Sequence, residues 1–175
     1  MSTWVSSPLQ PDHDVATFDC GNPTLNTWLQ KNGHRAQTAG TARTFVWTLE
    51  NSDVVRAYYS IAPTQVLRDE LTRVQSGGYS VVPAYLIARL ALDGGLRGQG
   101  LGAGLLVDAV GKVVHAAATG GGRLIVVDAI DDEAASFYRH HDFQPIKHNP
   151  HRLIITIATA RRALDPGGRS AIMDE

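Results

Sequence analysis

The 175-residue chain has one cysteine, Cys20, so no intramolecular disulfide can form. No Cys/His pattern at zinc spacing accompanies it, and neither a metal nor a redox role is indicated. The sequence also lacks an apolar run approaching the roughly 18 residues of a spanning helix, and its opening MSTWVSSPLQPDHD lacks the basic start and apolar stretch of a leader. These absences predict a cytoplasmic protein. Net charge is small, at −1, so no whole-molecule field calls for a polyanionic partner, and any basic patch has to be local. There is no internal repeat and no linker. What is there, 43% hydrophobic and 19% charged residues, describes an ordinary globule large enough for a real core. Residues 1–164 are expected to form a single domain, with DPGGRSAIMDE from Asp165 onward as a mobile tail.

Hydrophobic periodicity gives the coarse order α, ββ, β, α, β, α, ββ, a mixed α/β sheet. Asn22-Pro23 starts a helix carrying Leu25, Trp28 and Leu29 at helical spacing. RTFVWTLE and VVRAYYSIAP, split by NSD, read as a hairpin. TQVLRDELTRV reads as a short amphipathic piece, and VPAYLIARLALD as a long apolar strand. The next helix presents Leu105, Leu106, Ala109, Val110, Val113, Val114 and Ala117 as its apolar face, with Asp108 and Lys112 off it. RLIVVDA has the continuous apolar character of a strand buried on both faces. DDEAASFYRHH is a helix with Asp131 as N-cap and an acidic first turn. FQPIKHN and HRLIITIATA are read as the last two strands.

Between the long strand and the helix lies RGQGLGAG, residues 97–104, with four glycines in eight positions. Glycine inside a helix costs roughly 1 kcal/mol relative to alanine, so helix formation gives no reason for it. A strand, a glycine-rich turn and a helix N-terminus in succession suit an anion, because the first helical turn leaves N–H groups unpartnered and glycine lets a phosphate approach them. A turn needed only for chain reversal or helix packing would also use glycine. A P-loop is excluded, since no lysine here precedes Ser or Thr. A dinucleotide fingerprint is excluded by the spacing and by the position deep in the chain.

Arg97-x-x-Gly100-x-Gly102 after RLALD, with FYRHHDF some way on, resembles the GNAT superfamily of acetyl-CoA-dependent N-acyltransferases. The resemblance implies the GNAT fold, a mixed and mostly antiparallel sheet flanked by helices, with a splayed central strand pair holding acetyl-CoA. It implies that Arg97, Gly98, Gln99, Gly100, Leu101 and Gly102 bind the coenzyme pyrophosphate through backbone N–H groups, and that Leu92 ends the splayed strand. FDCGNPTLNTWL, ARTFVW, AYYSIAP, LIARLALD and VDAIDDEAASFYRHHDF, in that order, resemble a narrower group, the GNAT-type toxins of bacterial toxin–antitoxin pairs. Those toxins acetylate the α-amino group of aminoacyl-tRNA and so block translation. The likeness implies a ribbon-helix-helix type antitoxin, a homodimer and an aminoacyl-tRNA substrate. Asp131 stands where many relatives have asparagine, and Asp142 where they have glycine; Asp142 is expected at a left-handed helix C-terminus.

By the same match Tyr138 is the acid that protonates the departing coenzyme thiolate. A thiol has a pKa of roughly 8.5, so a positioned donor helps near neutrality. No carboxylate stands out as a general base. An α-amine, with a pKa of roughly 7.7–8.0, is partly neutral at pH 7 without one, whereas a lysine near 10.4 is not. A backbone N–H near Leu92 could polarise the thioester carbonyl. His140, His141, His148 and His151 are read as surface residues and Cys20 as a buried structural thiol. Lys31, Arg35, Arg43 and Arg89 are the candidates for RNA contact; Lys31 and Arg35 share a helix face. Arg89 lies in an apolar strand and would reach into a cleft. Two other functions stay open: acetylation of a small-molecule amine or protein N-terminus, and non-catalytic acetyl-CoA binding.

Overall fold

The computed structural model describes residues 3–165; the tail expected from the sequence lies, apart from Asp165, outside the described residues. Seven strands form one mostly antiparallel sheet in the order β1-β2-β3-β4-β5-β7-β6. The chain divides into two compact units, residues 3–62 with 87–109, and residues 63–86 with 110–165. Strands β3 (Ala57–Leu67) and β4 (Val81–Leu92) and helix α3 (Leu101–Gly120) each contribute to both.

The first unit opens with β1 (Trp4–Pro8), which sequence patterning missed. Its Ser-Ser-Pro half is poor strand material, and it is held by antiparallel pairing with β2 (Arg43–Leu49), Trp4 opposite Leu49 and Pro8 opposite Phe45. As the sheet edge it tolerates the missing proline donor. Helix α1 (Pro23–Ala39) starts as expected: the Asn22 side chain accepts from the Thr24 and Leu25 N–H groups and Pro23 needs no partner. It stops at Gly40, whose φ of 74° is the left-handed cap glycine takes without strain. The expected hairpin is present, with Thr44 opposite Ser60 and Phe45 opposite Tyr59. Leu29 of α1, Phe18, Cys20, Val46, Val55, Tyr58 and Ala91 share one buried cluster.

In the second unit the amphipathic TQVLRDELTRV is not one element. β3 continues to Leu67, a 3-10 turn covers Arg68–Glu70, and α2 (Arg73–Ser76) is a single capped turn. Arg123 holds that turn, donating to the Gln75 and Val74 carbonyls. β5 (Leu124–Asp128) is buried except at Asp128, and pairs antiparallel with β7 (Asn149–Thr156). Helix α4 (Asp132–His140) starts at Asp131, whose side chain accepts from the Ala134 N–H, as the sequence indicated. It ends before Asp142, which has the predicted left-handed φ, 70°. The short strand β6 (Gln144–Ile146) follows.

Two expectations are corrected. HRLIITIATA is not one strand: Thr156 ends β7 and caps α5 (Ile157–Leu164), its hydroxyl accepting from the Thr159 N–H. The β-branched run hid a helix start that only the cap reveals. Strand β7 also lies between β5 and β6, so its backbone edges are both taken. Helix α3 is longer than the apolar runs read from the sequence, and by length and composition alone it could cross a membrane. Its Leu105, Leu106, Ala109, Val110, Val113 and Ala117 are nevertheless buried in the fold, and Val114 is half-buried.

Leu29→Ala, at a fully buried position of the first unit, should lower the unfolding free energy by about 2–5 kcal/mol. A shift in the urea midpoint at unchanged m-value would register it.

Candidate active site

The glycine loop hangs between the end of β4 and the start of α3. Asp93, just past Leu92, accepts from the Gly95 N–H and opens a 3-10 turn over Gly94–Leu96. Gly98 and Gly100 then take φ of 78° and 74°, where a side chain would be strained. The N–H groups of Gly98, Gln99 and Gly100 donate to no other described residue. A Cβ added at Gly98, Gly100 or Gly102 would meet nothing within 4 Å. The backbone is therefore bare and open, as an anion cradle requires. At Gly104 an added Cβ would make ordinary contact, 3.5 Å, with the Trp47 ring.

Arg97 differs from the other loop positions. Its backbone N–H donates to the Gly94 carbonyl at 3.3 Å, and its guanidinium donates to the Cys20 carbonyl. The backbone N–H and Nη2 are thus engaged within the protein, and through Nη2 Arg97 braces the loop against FDCGN. That segment is tied at further points: the Gly94 N–H donates to the Asp19 carbonyl (2.9 Å) and the Asp19 N–H to the Asp93 carboxylate (3.4 Å). Asp19 also accepts from the Gly21 N–H and the Asn26 amide, which hold its carboxyl below the usual range, the Gly21 bond contributing most. Cys20 is buried beside it, and burial pushes its thiol up. This wiring gives FDCGN a physical role, to hold the loop.

Half-buried Leu92 closes β4, three residues beyond Arg89. The Arg89 guanidinium lies 3.9 Å over the Trp28 ring, whose other neighbour is the stacked ring of Tyr58. Among the described residues no carboxylate pairs with it, and burial lowers its pKa. Lys31 and Arg35 are exposed on α1. Arg43 is exposed too, but its Nη1 donates to the Gln37 carbonyl, so this cation closes the C-terminal end of α1.

The second unit carries Tyr138, on the inner face of α4 with its ring packed edge-on against Phe137 and Phe143. It is 7% exposed, and its hydroxyl makes no hydrogen bond with another described residue. Burial, and then the Asp128 carboxylate, push the phenol up to about 12. Asp128 faces Arg152 across β5 and β7 in an ion pair of 3.2 Å. Of the histidines, His140 and His148 are exposed, His141 packs on Phe137, and His151 lies 2.6 Å from Asp132. Sequence reasoning missed Asp108, which it placed on a polar face. The side chain is partly buried, and its Oδ2 accepts from Ser6, Trp47 and Tyr59.

A mixed sheet flanked by helices, with a bare glycine turn running from a central strand into a helix, defines a GNAT-type acetyltransferase. The chain is 38% identical over 149 residues to a tRNA-acetylating toxin of Mycobacterium tuberculosis (strain ATCC 25618 / H37Rv), covering 85% of this chain and 89% of that one. It is 28% identical to a probable toxin TacT of Sinorhizobium fredii (strain NBRC 101917 / NGR234), over 90% of this chain and 93% of the other. The chain therefore belongs to the family of tRNA-acetylating toxins. Solved structures share the fold. AtaT complexed with acetyl-methionyl-tRNAfMet matches with a TM-score of 0.85 at 25% identity, over 92% of this chain and 99% of that one. A tyrosine-to-phenylalanine mutant of KacT matches with 0.85 at 21%, over 91% and 98%. No family model matches the chain.

At the start of α4, the His151 hydrogen bond and then its charge hold Asp132 below its ordinary value. A depressed carboxyl contributes stability above its unfolded pKa, roughly 3.9, and loses it as pH falls through the lower folded value. An NMR titration should therefore place the Asp132 midpoint below that value, and His151→Ala should return it.

Proposed function

We propose that the protein transfers acetyl from acetyl-CoA to the α-amino group of an aminoacyl-tRNA, thereby arresting translation as a toxin. Family membership supports the acceptor, and AtaT has been seen with acetyl-methionyl-tRNAfMet and, as a tyrosine-to-phenylalanine mutant, with acetyl-CoA and the antitoxin AtaR. The observation that carries the chemistry is Tyr138: a largely buried ring whose hydroxyl makes no hydrogen bond with another described residue.

In this reading Gly98, Gln99, Gly100, Leu101 and Gly102 receive the coenzyme pyrophosphate on backbone N–H groups, where the start of α3 favours negative charge. Arg97 contributes by bracing the turn. Beyond the loop, the end of β4 near Leu92 offers the pantetheine arm and thioester a strand to lie along. The acceptor amine attacks the thioester carbonyl carbon, and collapse of the tetrahedral intermediate breaks the C–S bond. The amine sheds one proton and the thiolate takes one, so the step balances without an added base. A phenol near 12 is a weak acid toward a thiolate of roughly 8.5, and a bare transfer would be uphill by about 5 kcal/mol. Tyr138 therefore donates as its own proton is replaced by the one leaving the nitrogen. Because the phenol stays protonated through neutrality, the donor is present at every physiological pH.

Arg89 is the strongest RNA candidate. Contact with the Trp28 ring positions the guanidinium, and among the described residues no carboxylate neutralises it, so its donors are set for a phosphate. Exposed Lys31 and Arg35 add charge on α1, and Arg43 contributes least because it is spent on the helix end. A ribbon-helix-helix antitoxin and a homodimer complete the proposal; an antitoxin partner is supported by AtaT, solved bound to the C-terminus of AtaR.

Tyr138→Phe should lower kcat on charged tRNA by about a hundredfold or more while leaving acetyl-CoA affinity intact. Unchanged turnover would remove Tyr138 from the chemistry and favour a protein that only binds the coenzyme. Arg89→Lys keeps the charge but loses the planar fork, and should raise KM for charged tRNA about five- to tenfold at constant KM for acetyl-CoA.

A further inference from the structure

Three hydrogen bonds from three neighbouring strands end on one oxygen of Asp108. Ser6 of β1 donates at 2.6 Å, the Trp47 indole of β2 at 3.0 Å and the Tyr59 hydroxyl of β3 at 2.9 Å. Register explains how they converge: Ser6 lies directly opposite Trp47, and Tyr59 is opposite Phe45, two residues along and so on the same face. The acceptor is on α3, less than two turns beyond the glycine loop. One turn back on the same helix face, a Cβ at Gly104 would stand in ordinary van der Waals contact, 3.5 Å, with the far edge of the Trp47 ring. The indole thus meets the helix at Gly104 and Asp108, while Trp4 stacks on it.

We infer that Asp108 is a positioning residue for the coenzyme: by locking the first turns of α3 onto β1, β2 and β3, it fixes the helix N-terminus on which the pyrophosphate is received. A cradle of backbone N–H groups has no side chain to adjust, so its geometry is only as good as the anchorage of its helix. The loop braces at Asp93 and Arg97 hold the turn itself, whereas nothing in them sets the direction of α3. Three donors on one carboxylate oxygen fix that direction in a way an apolar contact would not. The edge strand β1, otherwise remote from the chemistry, thereby acquires a part in coenzyme binding through Ser6.

This inference rests on the reading of the glycine loop as the coenzyme site. Acetyl-CoA affinity would be measured by calorimetry at 25 °C, beside melting curves and steady-state kinetics, for the wild type and for Asp108→Asn, Tyr59→Phe, Ser6→Ala and Thr44→Val. Thr44 is the control: its hydroxyl bonds Ser60 at 2.8 Å, buried on the opposite face of the same strands, away from α3. Asp108→Asn should raise the acetyl-CoA Kd and KM about tenfold, and the single-donor variants about threefold, with kcat and the KM for charged tRNA unchanged. Thr44→Val should melt earlier and bind acetyl-CoA as the wild type does. If Asp108→Asn does not fold, Tyr59→Phe and Ser6→Ala decide. Variants that lose thermal stability yet keep the wild-type Kd would overturn the inference and leave Asp108 a structural residue. A wild type that binds no acetyl-CoA would instead overturn the reading of the loop.

Discussion

A site that binds an anion with backbone N–H groups must hold its main chain still without the help of side chains in the site itself. That constraint organises the first unit. Glycine at 98 and 100 makes the left-handed turn possible, but glycine also makes it floppy, since it loses the most conformational freedom on folding. The remedy is external. Asp93 closes the turn before the loop, Arg97 and the Asp19 backbone tie it to FDCGN, and α1, capped by Asn22, carries that segment on a buried core with Phe18, Cys20 and Leu29. Of the four glycines in these eight residues, those at 98 and 100 answer to a left-handed φ, whereas a Cβ at 102 would meet open space and one at 104 only ordinary contact with the Trp47 ring.

Much of this was legible in the sequence because it is local. The cap at Asn22, the hairpin, the apolar face of α3, the cap at Asp131 and the left-handed Asp142 each follow from a few adjacent residues. Failures came where the deciding partner is distant in the chain, as for β1 and Asp108, or where a nearby cap is hidden by the residues around it, as for α5 and Arg43. β1 is a strand because β2 offers it an edge, and Ser-Ser-Pro says nothing of that. α5 follows directly on a β-branched run, and only the Thr156 cap separates the two. Asp108 looks like a solvent-facing helix residue until three strands are placed in register beneath it. Arg43 looks like a free cation until α1 is seen to end where it can be capped.

The family resemblance and the physics of the site bear on different questions. Resemblance named the coenzyme and the acceptor. The structure gives FDCGN a part that composition and spacing left unexplained, since that segment anchors the glycine turn through main-chain contacts. It also gives Arg97 a bracing contact, since its backbone N–H and Nη2 donate within the protein. In the proposed mechanism Tyr138 is a donor whose high pKa keeps it protonated and makes its proton transfer depend on the proton released by the attacking amine.

The central claim is that the acceptor is the α-amine of an aminoacyl-tRNA, and transfer of labelled acetyl from acetyl-CoA to RNA tests it most directly. Charged and deacylated pools of the same tRNAs would be incubated with the protein, and the label followed through mild alkaline release of the aminoacyl ester. The account predicts label on charged tRNA alone, leaving the RNA with the amino acid when the ester is cleaved. Label on deacylated tRNA, or none on either pool from a protein that binds acetyl-CoA, would contradict it.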